Sequence, residues 1–169
     1  MTSETPTTAQ RFDVLLNEIV AAARAHYGDR LVSLAVFGSV GRGTARPDSD
    51  VDLLIVADDL PPGRLRRADD FRPIEHALAP ALHAAVGRGF SIELSPVFKT
   101  PAEIEQGSPL LLDMTEDARI LHDRGGFLRE ALSRLSGRLR LLGARRIWRG
   151  NMWFWDLKPD YRPGDVIEL

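Results

Sequence analysis

Between Val36 and Val56 the chain reads VFGSVGRGTARPDSDVDLLIV, and Gly38, Ser39, Asp50 and Asp52 within it have the types and spacing to handle a phosphate and a metal ion. A glycine where a strand gives way to a turn lets the backbone approach a ligand with no side chain in the way. Backbone amides and the Ser39 hydroxyl can then grip phosphate oxygens. Asp50 follows Ser39 by eleven residues, enough for a loop that folds back and starts a neighbouring strand. One residue separates Asp50 from Asp52, so in an extended chain both carboxylates project from the same face. Carboxylates so placed repel unless a cation lies between them or one keeps its proton. Oxygen ligands favour Mg²⁺ or Mn²⁺, and Mg²⁺ typically takes one or two protein carboxylates while substrate phosphates and waters complete its shell. These are the parts that phosphoryl transfer requires.

Taken singly, Gly-Ser is an ordinary turn and Asp-x-Asp is often a turn or a helix cap. What sets this pair apart is its place at the head of an apolar strand, where two acids have no structural purpose. In the connecting loop, Arg42 and Arg46 are placed to border a triphosphate and bind it through charge-assisted hydrogen bonds, and each also reads as a solvated loop residue. Asp48 and Ser49 read as residues that shape the turn.

The elements that must position these groups can be read from periodicity. Phe12, Leu15, Leu16, Ile19, Val20, Ala23 and Tyr27 recur at helical spacing and predict a helix over residues 8–27, ended by Gly28. Leu31 to Phe37 and Val51 to Ala57 are short apolar runs, predicted as neighbouring strands. Residues 64–86 carry a helical pattern interrupted by Pro73 and Pro80, which predicts a broken or kinked helix. Phe90, Ile92 and Leu94 alternate with Ser91, Glu93 and Ser95, predicting a strand from Phe90 to Phe98 with Glu93 on its polar face. Thr100-Pro101-Ala102-Glu103 is a helix start with a capping box, and a second short helix is expected from Leu110 to Asp117. A strand at Ala118 to His122, Gly125-Gly126 and an amphipathic helix from Phe127 to Leu142 follow. The closing segment, NMWFWDLKPDYRPGDVIEL, has no clear period and is expected to pack back on the rest. The expected fold is α/β (α+β), a small mixed sheet backed by helices. One domain over residues 1–169 is expected, with its core at about 8–125 and the last helix and aromatic tail at 126–169 packed on it.

Composition narrows the classes. The chain has 169 residues, 44% of them hydrophobic, and a formal charge of −2, which argues against a surface built throughout to neutralise phosphates. With no cysteine, any metal must be held by oxygen ligands or by the four histidines, and His26, His76, His83 and His122 lack metal-ligand spacing. The polar opening lacks the order of a signal peptide, and no apolar stretch approaches the ~18 residues that span a bilayer. A cytoplasmic protein with no membrane partner is the expectation.

Gly38-Ser39 followed by Asp50-Val51-Asp52 resembles the motif of the DNA polymerase beta-like nucleotidyltransferase superfamily, in particular its small stand-alone bacterial and archaeal members. The element order over roughly residues 8–98 is compatible with that fold. The resemblance implies a metal-dependent transfer of a nucleoside monophosphate, AMP by expectation, from a nucleoside triphosphate such as ATP to a hydroxyl acceptor, with pyrophosphate released. It implies Mg²⁺ or Mn²⁺ on Asp50 and Asp52, and a third carboxylate on a later strand that assists the metal or deprotonates the acceptor. Glu93 matches that place, where the family more often has aspartate. Acceptors in the family include small molecules such as antibiotics, partner proteins in toxin-antitoxin pairs, and transfer RNA. The alternative reading is a non-catalytic nucleotide- or metal-binding module. A third is a structural calcium site at the paired aspartates.

Two further clusters invite function. The arginines read on the last helix, Arg129, Arg134, Arg138, Arg140, Arg145, Arg146 and Arg149, could line a nucleic-acid groove, with a solvated face as the simpler reading. Trp148, Trp153, Phe154 and Trp155 could stack on a base, or pack in the core or at a homodimer interface.

Overall fold

The computed structural model describes residues 7–150 and 152–167, so the first six residues of the polar opening, Asn151 and the last two residues of the aromatic tail lie outside the described residues. Helix α1, Thr8–Tyr27, starts at a capping box in which the Thr7 side chain accepts from the Gln10 backbone and the Gln10 side chain accepts from that of Thr7. Its buried stripe is Phe12, Leu15, Leu16, Ile19, Ala23 and Tyr27. Strand β1, Leu31–Phe37, runs into the single turn α2, Gly38–Gly41. After the polar loop comes β2, Val51–Ala57, which pairs antiparallel with β1. Strand β3, Leu94–Lys99, lies parallel to β2 on its other side, and β4, Arg119–Asp123, is antiparallel to β1, giving the order β3-β2-β1-β4. The expected mixed sheet backed by helices is present.

Side chains of β2 alternate between two cores. Val51, Leu53, Ile55 and Ala57 pack with α1 and with α3, Arg64–Val86. Leu54 and Val56 face the opposite layer, made by α4 (Pro101–Glu105), α5 (Pro109–Asp117) and α6 (Phe127–Leu141). A strand covered on both faces can be continuously apolar, as this one is. Each of Leu53, Leu54 and Ile55 is fully buried, worth about 1.5–3 kcal/mol apiece.

Three expectations are corrected. Helix α3 runs through Pro73 and Pro80 as one helix, so the break expected there is absent. Both prolines are exposed, and so are Asp69 and His76, whose carbonyls lose their donors four residues on; water can satisfy them while Phe71, Ile74 and Leu78 clamp the inner face to the core. The third strand begins at Leu94 rather than Phe90. Opposite Phe90 to Glu93 the chain is still in its loop, so only isolated bonds form there, Ser91 N–H to the Pro47 carbonyl and Val51 N–H to that of Glu93. Beyond Leu142, Arg145, Arg146 and Arg149 leave the helix: Arg145–Arg149 is β5, and it pairs antiparallel with β6, Met152–Asp156, as a separate hairpin.

Replacing an exposed mid-helix proline returns a backbone donor to its carbonyl. Pro73→Ala and Pro80→Ala are each expected to raise the melting temperature by about 2–4 °C, the shift that about 1 kcal/mol gives in a chain of this size. Thermal unfolding followed by circular dichroism checks this.

Candidate functional site

Asp52 stands in register with Phe37 of β1 and with Ser95 of β3. Period-two alternation puts it in the row of Leu54 and Val56, so the covered row becomes acidic where the helical layer stops. Asp50 extends the same row by one more step and is exposed, whereas Asp52 is half-buried. Burial pushes the Asp52 carboxyl up from its ordinary range, and the charge of Asp50 pushes it further, while Arg42 pulls it down. This is the repulsion expected of an unneutralised acid pair.

Gly38 meets Asp52 from the neighbouring strand. Its φ of 63° lies in the left-handed region, and a Cβ there would overlap the Asp52 Oδ2 atom. The glycine is thus required twice, by its backbone and by the carboxylate that occupies the space a side chain would need. Ser39 follows within α2, its carbonyl accepting the Thr44 N–H at 2.9 Å. Gly41, which no short-range pattern marks out, closes the turn against two backbones: a Cβ on it would overlap the carbonyl oxygens of Asp117 and Val36.

The two loop arginines part company. The Arg42 guanidinium donates to Asp117 Oδ2 at 2.7 Å and lies 5.0 Å from the Trp153 ring centre. Arg46 is exposed and pairs with Asp48 at 3.3 Å, while its backbone N–H bonds the Ser49 hydroxyl. Asp48 and Ser49 thus shape the turn. Glu93 is exposed just ahead of β3, and its carbonyl accepts the N–H of Val51, the residue after Asp50. Among the described residues no group of three acids or histidines is gathered closely enough to hold a metal ion.

Periodicity did not reveal what the chain's end contributes. Asp117, at the end of α5, is 4% exposed and Arg146 of β5 is 6% exposed; Arg146 donates to both Asp117 oxygens, at 2.8 and 2.7 Å. Burial pushes the Asp117 carboxyl up, but hydrogen bonds from Arg146 and Arg42 outweigh it and hold it below its usual range. Trp153 and Trp155 each donate their indole N–H to Asp113 Oδ1. The Gly150-Asn151 pair between two β-branched and aromatic runs was the available signal for this hairpin. The other arginines named for a nucleic-acid groove stay on α6, with Leu128, Leu132 and Leu139 buried on its inner side.

The mixed sheet thus carries a Gly-Ser turn at the end of one strand and an Asp-x-Asp pair at the head of its neighbour. The chain belongs to the nucleotidyltransferase domain family, whose model matches residues 16–122, and it is a nucleotidyltransferase. It is 31% identical over 123 residues to a candidate protein adenylyltransferase of Methanocaldococcus jannaschii, covering 72% of this chain and 78% of that one. Among solved structures it is similar to a toxin-antitoxin structure with AMP-PNP, at a TM-score of 0.45 and 16% identity over 76% of this chain and 92% of the other. It is also similar to spectinomycin adenyltransferase from Enterococcus faecialis with ATP and spectinomycin, at a TM-score of 0.45 and 14% identity over 75% of this chain and 66% of that one. Among the described residues no helix is long and apolar enough to cross a membrane.

Because its Cβ would displace the Asp52 carboxylate, Gly38→Ala is expected to cut nucleotidyl transfer by about tenfold or more, as misplacement of a reacting group does; transfer assays on folded protein check it. In the metal-free fold the raised Asp52 carboxyl binds its proton more tightly than the unfolded chain does, so stability falls as pH rises from the ordinary carboxylate range through the raised value. Asp52→Asn removes that cost. With solvent screening on the open side, the gain at pH 7 in chelator is expected to be about 1–2 °C in melting temperature, shrinking as the pH is lowered.

Proposed function

We propose that the protein transfers AMP from ATP to a hydroxyl group on a protein acceptor, with a divalent cation on Asp50 and Asp52. The carrying observation is the half-buried Asp52, packed against the bare Cα of Gly38, beside Asp50, at the open end of an otherwise apolar row. Two carboxylates with a mutual repulsion to relieve fit Mg²⁺ or Mn²⁺, which needs only one or two protein ligands when phosphates supply the rest. When bound, such an ion neutralises charge on the phosphate oxygens and the leaving group.

In this reading Gly38, Ser39 and Arg42 hold the triphosphate, and Arg46 borders it from the solvent side. The acceptor oxygen attacks the α-phosphorus, a P–O bond forms, the α–β phosphoanhydride breaks and pyrophosphate leaves with the bonding pair. Glu93, exposed just ahead of β3, takes the acceptor's proton. The kinship with a candidate protein adenylyltransferase supports AMP as the group moved and a protein as its acceptor. A partner toxin is one acceptor of that kind. The reading treats the chain as one working domain in the cytoplasm, with the terminal hairpin part of it.

Protein incubated with ATP labelled on the α-phosphate, Mg²⁺ and fractionated cell protein is expected to label a discrete acceptor. Asp52→Ala is expected to lower labelling by about a hundredfold or more, several kcal/mol of lost charge stabilisation. Chelation is expected to abolish labelling and Mg²⁺ to restore it. Labelling indifferent to Asp52→Ala would sink the site, and ATP binding without transfer to any acceptor would favour a non-catalytic module.

A further inference from the structure

The loop arginine that borders the proposed triphosphate site is held by the far end of the chain. Arg42 gives one guanidinium nitrogen to Asp117 Oδ2, and its Nε and Nη2 have no protein acceptor among the described residues. Its guanidinium carbon lies over the Trp153 ring, within the range where a cation is attracted to an indole. Neither partner is placed by chance. Asp117 is buried and takes both nitrogens of the Arg146 fork, so its orientation is set before Arg42 arrives. Trp153 is pinned from two sides: its N–H reaches Asp113 at 2.7 Å, and Arg146 lies 4.3 Å from its ring centre on the way to Asp117. Arg146, Trp148, Trp153 and Trp155 share one face of the hairpin, the one turned to α5, because Arg146 pairs with Trp155 and Trp148 with Trp153. Arg42 also acts electrostatically on Asp52, so what fixes Arg42 bears on the nucleotide end of the site.

We infer that the C-terminal hairpin is a positioning element for nucleotide binding, in which Trp153 and Asp117 hold the Arg42 fork so that its remaining N–H groups meet the triphosphate. The inference rests on the proposed phosphate role of Arg42. A flexible arginine must lose rotamer freedom each time it grips a phosphate, and one already clamped between a carboxylate and an indole has lost it in advance. Trp153 and Asp117 therefore act through Arg42 and are positioning residues. Neither touches substrate.

The test is calorimetric titration of the full chain with ATP and Mg²⁺, comparing wild type, Arg42→Ala, Trp153→Ala, Trp153→Phe and the Arg42→Ala/Trp153→Ala double variant, each verified folded by circular dichroism. Arg42→Ala and Trp153→Ala are each expected to weaken ATP binding by about tenfold, equivalent to about 1.4 kcal/mol. Trp153→Phe, which keeps a ring under the guanidinium but loses the N–H bond to Asp113, is expected to recover part of the loss. The double variant is expected to bind no more weakly than Arg42→Ala alone, because the indole then has nothing to position. Losses that multiply in the double variant overturn the inference, as does weakening by Arg42→Ala with none from Trp153→Ala. An Arg42→Ala protein that binds ATP as tightly as wild type overturns the phosphate role of Arg42 and the inference with it.

Discussion

The burial of β2 between two helical layers is the constraint from which the site follows. A strand covered on both faces must be apolar along its length or satisfy what is not, and β2 is apolar from Leu53 to Ala57. The exception is its head, where the row of Leu54 and Val56 runs out from under α5 and α6 and becomes Asp52 and then Asp50. The core therefore supplies a rigid base that fixes the direction of two carboxylates, and the edge of the helical layer decides that they meet solvent rather than hydrocarbon. Burial and like charge raise Asp52 together and Arg42 offsets them in part, so the ionised acid carries a local cost that a proton or a cation beside it would relieve.

The same strand pair disposes of the space around the acids. Antiparallel pairing sets Phe37 against Asp52, so the residue after β1 emerges beside the carboxylate, and only a residue without a Cβ leaves that oxygen in place. Gly41 repeats the argument on the other side of α2, where the backbones of Val36 and Asp117 leave no room for a side chain. Two glycines three residues apart thus tie the Gly-Ser turn to β1, to Asp52 and to the end of α5. The motif is a packing solution as much as a chemical one.

This explains what the sequence made legible and what it hid. The β1 and β2 boundaries, the capped α4 and the Gly-Ser turn with its acid pair depend on residue types within a short window, where periodicity and turn chemistry act. The continuity of α3 was hidden because a proline's cost depends on whether the carbonyl it orphans meets water, and that is a tertiary fact. The start of β3 was hidden because a strand needs a partner, and across from Phe90 to Glu93 the loop ahead of Val51 has not yet become one. Arg42 and Arg46 look alike in sequence. They separate only because Asp117, 75 residues away, lies within reach of one of them.

The Asp117 cluster shows why such a contact is specific. Burying one carboxylate and one guanidinium costs desolvation that their attraction only partly returns, so a buried pair is seldom a source of net stability. Removing one partner is expensive all the same, since the other is left charged and dry. Asp117 has both oxygens committed to Arg146, and one of them also accepts from Arg42, so a different placement of the hairpin would strand the acid. The indoles of Trp153 and Trp155 add a second requirement at Asp113, and the ring of Trp153 a third at Arg42. Each contact is modest, but they share partners, and a hairpin that satisfied one while missing the others would lose most of their combined worth. A two-stranded hairpin has little intrinsic stability in water. Its place on α5 is therefore set by this polar network, and through the network its position is read out at Arg42, beside the acids that β2 presents.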